Sequence, residues 1–142
     1  MPNGLLLGED RKVAEWAYST FKVYPMFYDR AVGIVSEDGN IHGAFLFQSF
    51  NGVNVDLSYY GPNTLTPGIV RAIAKMVLAE FNPARLTVVT SKRNKFIHKR
   101  SLERLGFKLE GTQRRFYGYE DTQRNTALRF VAFNEDIRKV AG

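Results

Sequence analysis

Apolar and polar positions change their period several times along the chain, and each change marks an element. Behind Asp10, the residues Val13, Trp16, Ala17, Thr20 and Phe21 fall on one helical face. This predicts an N-cap followed by an amphipathic helix of about three turns, ended by Pro25, with Trp16 in the core. From Arg30 the pattern becomes short apolar runs, AVGIV, IHGAFLF and VNVDLSYY, separated by Asp38-Gly39 and Asn51-Gly52. Both dipeptides tolerate positive φ, so they predict hairpin turns and a meander of three antiparallel strands. The helical period returns after Tyr60. Thr66 is a cap, Pro67 suits the first helical position, and Val70, Ile73, Ala74, Val77, Leu78 and Phe81 form a continuous stripe up to Asn82-Pro83. The run RLTVVT follows as a buried-type strand. Residues 53–90 therefore read as strand, crossover helix, strand, which makes a parallel pair. In such a unit the free amides and positive dipole end of the helix lie beside the carboxyl end of the preceding strand, where anionic ligands bind.

Further on, Ile97, Ser101, Leu102 and Leu105 recur at helical spacing, and Gly106 stands where a helix needs a left-handed residue to stop. After it, Phe107, Leu109 and Gly111 alternate with Lys108, Glu110 and Thr112, the period of a half-buried strand. The remainder predicts a strand over about 113–117, a polar turn over 120–125, a strand over 127–133 and a short helical end over 135–141.

Composition narrows the function classes. With 142 residues, 44% of them hydrophobic, the chain is long enough for one domain with a sizeable core. The absence of cysteine excludes disulfides, a thiolate nucleophile and a cysteine metal site. Only His42 and His98 are histidines, so a His-rich metal site is excluded, and His42 reads as a partly exposed structural residue. No run approaches the roughly 18 apolar residues of a membrane span, and the apolar start is too short for a secretory signal, so a soluble cytoplasmic protein is expected. Charge is concentrated. The stretch from Lys92 to Arg115 holds nine Lys and Arg against Glu103 and Glu110, a local +7 where the whole chain sums to +6. Such a run reads either as a solvated helix face or as a surface for nucleic acid or an acidic protein. Aromatic residues interleave with it only at Phe96 and at Phe116-Tyr117, so stacking platforms for bases are not evident.

The segment SLERLGFKLEG, followed by RRFYG, resembles the late segment of the GNAT superfamily of acyl-CoA-dependent N-acetyltransferases. Its Glu-Gly and following Arg are most similar to the acetyltransferases of ribosomal-protein N-terminal amines and to divergent members carried by bacteriophages. The resemblance covers roughly Ala31 to Phe133. It implies an α/β fold within a single domain over 1–142: a mixed sheet, an antiparallel meander plus one parallel splayed strand pair, flanked by helices. It also implies transfer of an acetyl group from acetyl-CoA to an amine, on a protein or peptide. Direct attack by the neutral amine would be helped by backbone amides that polarise the carbonyl.

By the same resemblance the cofactor's pyrophosphate is expected over the loop LTPGIV, held by the Thr66 hydroxyl and the amides of Gly68, Ile69 and Val70. The family's glycine-rich pattern is reduced here to the single Gly68. Asn94 stands one residue from the position of a cofactor-holding asparagine, and Arg93 and Arg100 lie near the expected phosphate side. Leu102 occupies the position of the tyrosine thought to protonate the departing thiolate. Tyr117 and Tyr119 are the nearest substitutes, and Asp56 is a candidate base acting through water. These departures support an alternative, a GNAT-like binding module that has lost catalysis and uses its basic 92–115 face.

Overall fold

The computed structural model describes residues 4–61, 65–91 and 99–142. Among these, seven strands form one sheet: β1 (Gly4–Leu6), β2 (Arg30–Val35), β3 (Ile41–Gln48), β4 (Asn54–Tyr60), β5 (Arg85–Ser91), β6 (Lys108–Gln113) and β7 (Ala127–Phe133). Their order across the sheet is β1-β2-β3-β4-β5-β7-β6. Four helices accompany them: α1 (Asp10–Phe21), α2 (Pro67–Glu80), α3 (Lys99–Arg104) and α4 (Asn134–Ala141). None of the described helices is long and apolar enough to cross a membrane.

The predicted meander is present, with β2, β3 and β4 paired antiparallel. The predicted crossover is present too, since β4 and β5 are parallel. The sequence reading missed β1, three residues that add antiparallel to β2. Alternation along β3 sorts the core into two unequal layers. Phe45 and Phe47 point toward α2 and α4 and join Val32, Val55, Val77 and Phe130 in the larger cluster. Ala44 and Leu46 point toward α1 and join Val13, Ala17 and Ala31 in the smaller one.

Three expectations are corrected. Asp10 does not cap α1; Glu9 does, without a side-chain bond, and Asp10 is the first helical residue. Its carboxylate instead accepts from Arg30 Nε at 3.0 Å and from the Ala31 amide at 2.8 Å. Two donors, one of them charged, outweigh a single cap bond and fasten the start of α1 to β2. The helix also ends before Pro25, at Lys22, whose left-handed backbone lets its N–H reach Tyr18 O. The strand expected over 113–117 stops at Gln113. Arg115 has φ 57°, and the amides of Phe116 and Tyr117 both turn to Asn125 O. Residues 114–126 are therefore a folded loop.

The predicted stop at Gly106 is observed, with φ 92° and the Phe107 amide closing onto Leu102 O at 2.9 Å. Leu109 was expected on the buried side of the next strand and is 47% exposed. β6 is the outermost strand, and its register with β7 shifts between Leu109 and Gly111, which turns Leu109 outward.

Candidate active site

The sheet opens at one place. β4 and β5 pair only through Asn54–Arg85, Val55–Leu86 and Asp56–Thr87. β5 continues beside β7 for its whole length, from Arg85–Phe133 to Ser91–Ala127. Past Asp56, β4 stays with β3 instead, up to Tyr60 opposite Ala44. The carboxyl ends of two neighbouring parallel strands thus separate into a cleft, and α2 starts beside its mouth. A side-chain clasp marks the vertex. The buried Thr87 hydroxyl donates to Asn54 Oδ1 at 2.6 Å, and Asn54 Nδ2 donates to Asp56 Oδ1 at 2.9 Å.

At the start of α2, Thr66 is the cap expected from the sequence. Two of the amides proposed as phosphate donors are already engaged there. Ile69 N–H donates to Thr66 Oγ1 at 3.2 Å and Val70 N–H to Thr66 O at 3.0 Å. The Gly68 amide and the proton of the Thr66 hydroxyl are left to meet an anion. Pro67, first in the helix, has no amide to offer. A Cβ built on Gly68 would touch nothing within 4 Å, so the surface above it is open to a ligand. That arrangement fits a pyrophosphate, with fewer donors than the sequence suggested.

The two faces of β4 differ chemically. Val55 and Leu57 are buried against α2, and Tyr59 stacks on Phe45 with centroids 4.8 Å apart. Asp56, Ser58 and Tyr60 alternate with them and face the α1 side. There Tyr60 lies 5.6 Å from Phe21, which meets Trp16 edge-on at 5.8 Å. Burial pushes the Tyr60 hydroxyl above its ordinary range, while the neighbouring Ser58 hydroxyl pulls the other way. Ser58 Oγ donates to Gln48 Oε1 at 2.8 Å, and Gln48 Nε2 donates to Phe27 O at 3.3 Å. The loop after α1 is fastened over this strip, since Tyr18 donates from its hydroxyl to Met26 O at 3.0 Å. Sequence reasoning singled out Asp56 and missed Ser58, Tyr60 and Gln48. The signal was present in the period-two spacing of VDLSYY, which sets one polar and one apolar edge.

The loop 114–126 stands at the same end of the sheet. Tyr117, Glu120, Thr122, Gln123, Arg124 and Asn125 line a polar hollow of about 690 Å³. Asn125 organises it by donating from Nδ2 to Glu120 O at 2.8 Å. Gly118 passes so close that a Cβ there would lie 2.7 Å from Asn125 Oδ1. Tyr117 is half-exposed, and burial raises its hydroxyl above the usual range. Tyr119 is 98% exposed and projects into solvent. Leu102, in the tyrosine position, is 3% exposed within the larger apolar cluster, so that site is filled with core.

Of the basic stretch, Arg93 and Asn94 lie outside the described residues, and so does the Arg100 side chain, although its backbone is in α3. Arg114 is engaged with Asp121, and Lys108 approaches Asp136 at 3.8 Å. His42 is exposed and meets Ser36 Oγ at 2.9 Å, a turn contact.

No family model and no curated protein matches the chain. Solved structures do match. A spermidine N-acetyltransferase SpeG chimera from Vibrio cholerae and hSSAT superposes with TM-score 0.73 at 11% identity, over 97% of this chain and 99% of that one. The ribosomal-protein-S18-alanine N-acetyltransferase from Escherichia coli does so with TM-score 0.61 at 16% identity, over 93% and 94%. A GNAT-family acetyltransferase from Bacillus anthracis gives 0.58 at 12% identity over 74% of this chain, which spans 66% of that protein's length. The chain has the GNAT acetyltransferase fold. Its mixed sheet, with one parallel pair that splays, agrees with the architecture expected from the sequence.

Proposed function

We propose that the chain is an N-acetyltransferase that moves the acetyl group of acetyl-CoA to an amine on a protein or peptide, working as a single domain over 1–142. The observation that carries this reading is the cleft between β4 and β5, opening beside the Thr66-Pro67-Gly68 helix start in a fold shared with N-acetyltransferases. Thr66 and Gly68 hold the pyrophosphate, with Arg93, Asn94 and Arg100 supplying further donors from the basic stretch. The likeness to a ribosomal-protein-S18-alanine N-acetyltransferase supports a polypeptide acceptor.

Acetyl-CoA supplies an acetyl group already activated as a thioester. The chain's own share is to orient the amine and to manage protons. Asp56, at the vertex, takes the amine's proton through water. Tyr117 is the better of the two tyrosines for returning one, because Tyr119 stands free in solvent. A leaving thiol with pKa about 8.5 departs near neutral pH without full protonation, so burying Leu102 where an acid would stand slows transfer without preventing it.

The test is thermal stability against acetyl-CoA concentration. A ligand at 100 times its dissociation constant stabilises the fold by about 2.7 kcal/mol. Gly68→Glu should abolish this shift by steric block and charge repulsion while leaving the unliganded protein folded, because a Cβ at this position meets no protein atom within 4 Å. No shift in the unmutated protein at millimolar acetyl-CoA would remove the enzyme reading.

A further inference from the structure

We propose that Asn54 and Thr87 are positioning residues for Asp56, forming with Arg85 a one-way chain of hydrogen bonds across the sheet that holds the Asp56 carboxylate in one orientation at the vertex. The inference rests on the acetyltransferase reading, in which Asp56 takes the amine's proton, and adds what fixes that carboxylate.

Four bonds run in sequence from the outermost strand to the vertex. Arg85 donates from Nη2 to Glu110 Oε1 at 2.5 Å and from Nε to Thr87 Oγ1 at 3.3 Å. The Thr87 hydroxyl donates to Asn54 Oδ1 at 2.6 Å, and Asn54 Nδ2 donates to Asp56 Oδ1 at 2.9 Å. Residues of β6, β5 and β4 take part, and the Arg85 side chain reaches over β7 to join them.

The direction of these bonds is fixed from both ends. A guanidinium has donors and no acceptor, so the Thr87 oxygen accepts on that side and sends its only proton to Asn54. Asn54 must then present its oxygen to Thr87, which leaves its nitrogen for Asp56. An ionised carboxylate accepts and cannot donate, so it demands the same nitrogen from the other end. Turning the Asn54 amide over would break two bonds at once. Thr87 is 2% exposed, so water is poorly placed to replace a lost partner there. Hydrogen bonds aligned in one direction polarise one another, and this chain starts at a positive charge and ends at a negative one. Among the described residues Asn54 is the hydrogen-bond partner of Asp56, bound at Oδ1. Oδ2 remains for the proton: one proton leaves the amine nitrogen for water, and one leaves water for Oδ2.

A merely structural clasp would matter equally with or without a carboxylate at 56, and a mutant cycle on the full chain separates the two roles. In steady-state thiol release from acetyl-CoA with N-terminal-amine peptides, Thr87→Val keeps the volume and removes the hydroxyl. It should lower kcat about tenfold, with both KM values held within about threefold. Thr87→Ser, which keeps the hydroxyl, should retain most of the parent rate. Asp56→Asn should cost about 10² or more in kcat, and adding Thr87→Val to it should cost less than about twofold further, because no base is left to position. Asn54→Ala should repeat the pattern of Thr87→Val, and it decides the question if Thr87→Val does not fold. An unchanged kcat in Asn54→Ala and Thr87→Val, or the same loss in the Asp56→Asn background as in the parent, would overturn the proposal. A second measurement needs no turnover. The Asn54 side-chain amide protons, identified in a nitrogen-15 spectrum by their absence in Asn54→Ala, should exchange with solvent about tenfold faster in Thr87→Val and in Asp56→Ala than in the parent. Exchange unchanged in both variants would also overturn the chain. If acetyl-CoA does not bind, the acetyltransferase reading falls by itself, and the exchange rates still decide whether Thr87 and Asp56 fix Asn54 between them.

Discussion

The two faces of β4 belong to one strand seven residues long, yet they have opposite characters. Toward α2, Val55 and Leu57 sit in a cluster that includes Phe47, Val77 and Phe130, packed from three helices. Toward α1, the neighbouring layer is built of small residues, Ala31, Ala44 and Ala17, and beside it lie two separate polar contacts, Ser58 on Gln48 and the Asn54–Thr87 clasp. Large apolar groups are worth most where they are buried completely, and polar groups are useful where some of their bonding capacity is left over. The strand thus keeps its buried apolar groups on one side and its polar groups on the other.

The sharpest way to break this division is Phe47→Ala. Phe47 is fully buried and stacks 5.5 Å from Phe81, so its loss should cost about 3–5 kcal/mol, read as the urea midpoint. A loss below about 1 kcal/mol would mean that the α2 face does not carry the fold. On the α1 side one attachment is polar. Asp10→Ala removes the acceptor for Arg30 and for the Ala31 amide, and should cost about 1–3 kcal/mol. If it proved more costly than Phe47→Ala, the ranking of the two faces would be reversed.

The smallest effect sharpens the comparison through pH. Glu110 is held below its ordinary carboxyl value of 4.5, first by its hydrogen bond to Arg85 and against an opposing effect of burial. A carboxyl whose folded value is depressed contributes stability above the unfolded value and loses it as pH falls through the folded one. The difference in urea midpoint between the parent and Glu110→Gln should therefore be constant near neutrality and shrink as pH falls below about 5. A difference that grew on acidification would contradict the pairing.

Much of the fold was legible because periodicity and turn chemistry agree. The Asp38-Gly39 and Asn51-Gly52 turns, the Thr66-Pro67 helix start and the Gly106 stop are local signals, and each element they bound is present. The misses share another cause. Asp10 looks like a cap because the Arg30 that claims it lies twenty residues away. Leu109 looks inward because nothing local announces an outermost strand with a shifted register. At the site, Thr66 was legible as a cap, but the consequence that its own bonds consume the Ile69 and Val70 amides was not. Ser58 and Tyr60 alternate as plainly as Asp56, yet only the pairing of β4 with β3 and its packing on α1 reveal the partners they meet.

The irregular register of β6 bears on how this protein behaves in company. A sheet ends in strands whose outer backbone groups are unmet, and a neighbouring molecule can pair with them and extend the sheet without limit. Among the described residues one outer strand is β1, three residues long, and the other is β6, which starts at Lys108 and is kinked near Glu110. A second chain laid along either would find too few groups in line, or a charge where a ladder should continue. The same kink that defeats the simple alternation read from the sequence makes that edge a poor template for a further strand.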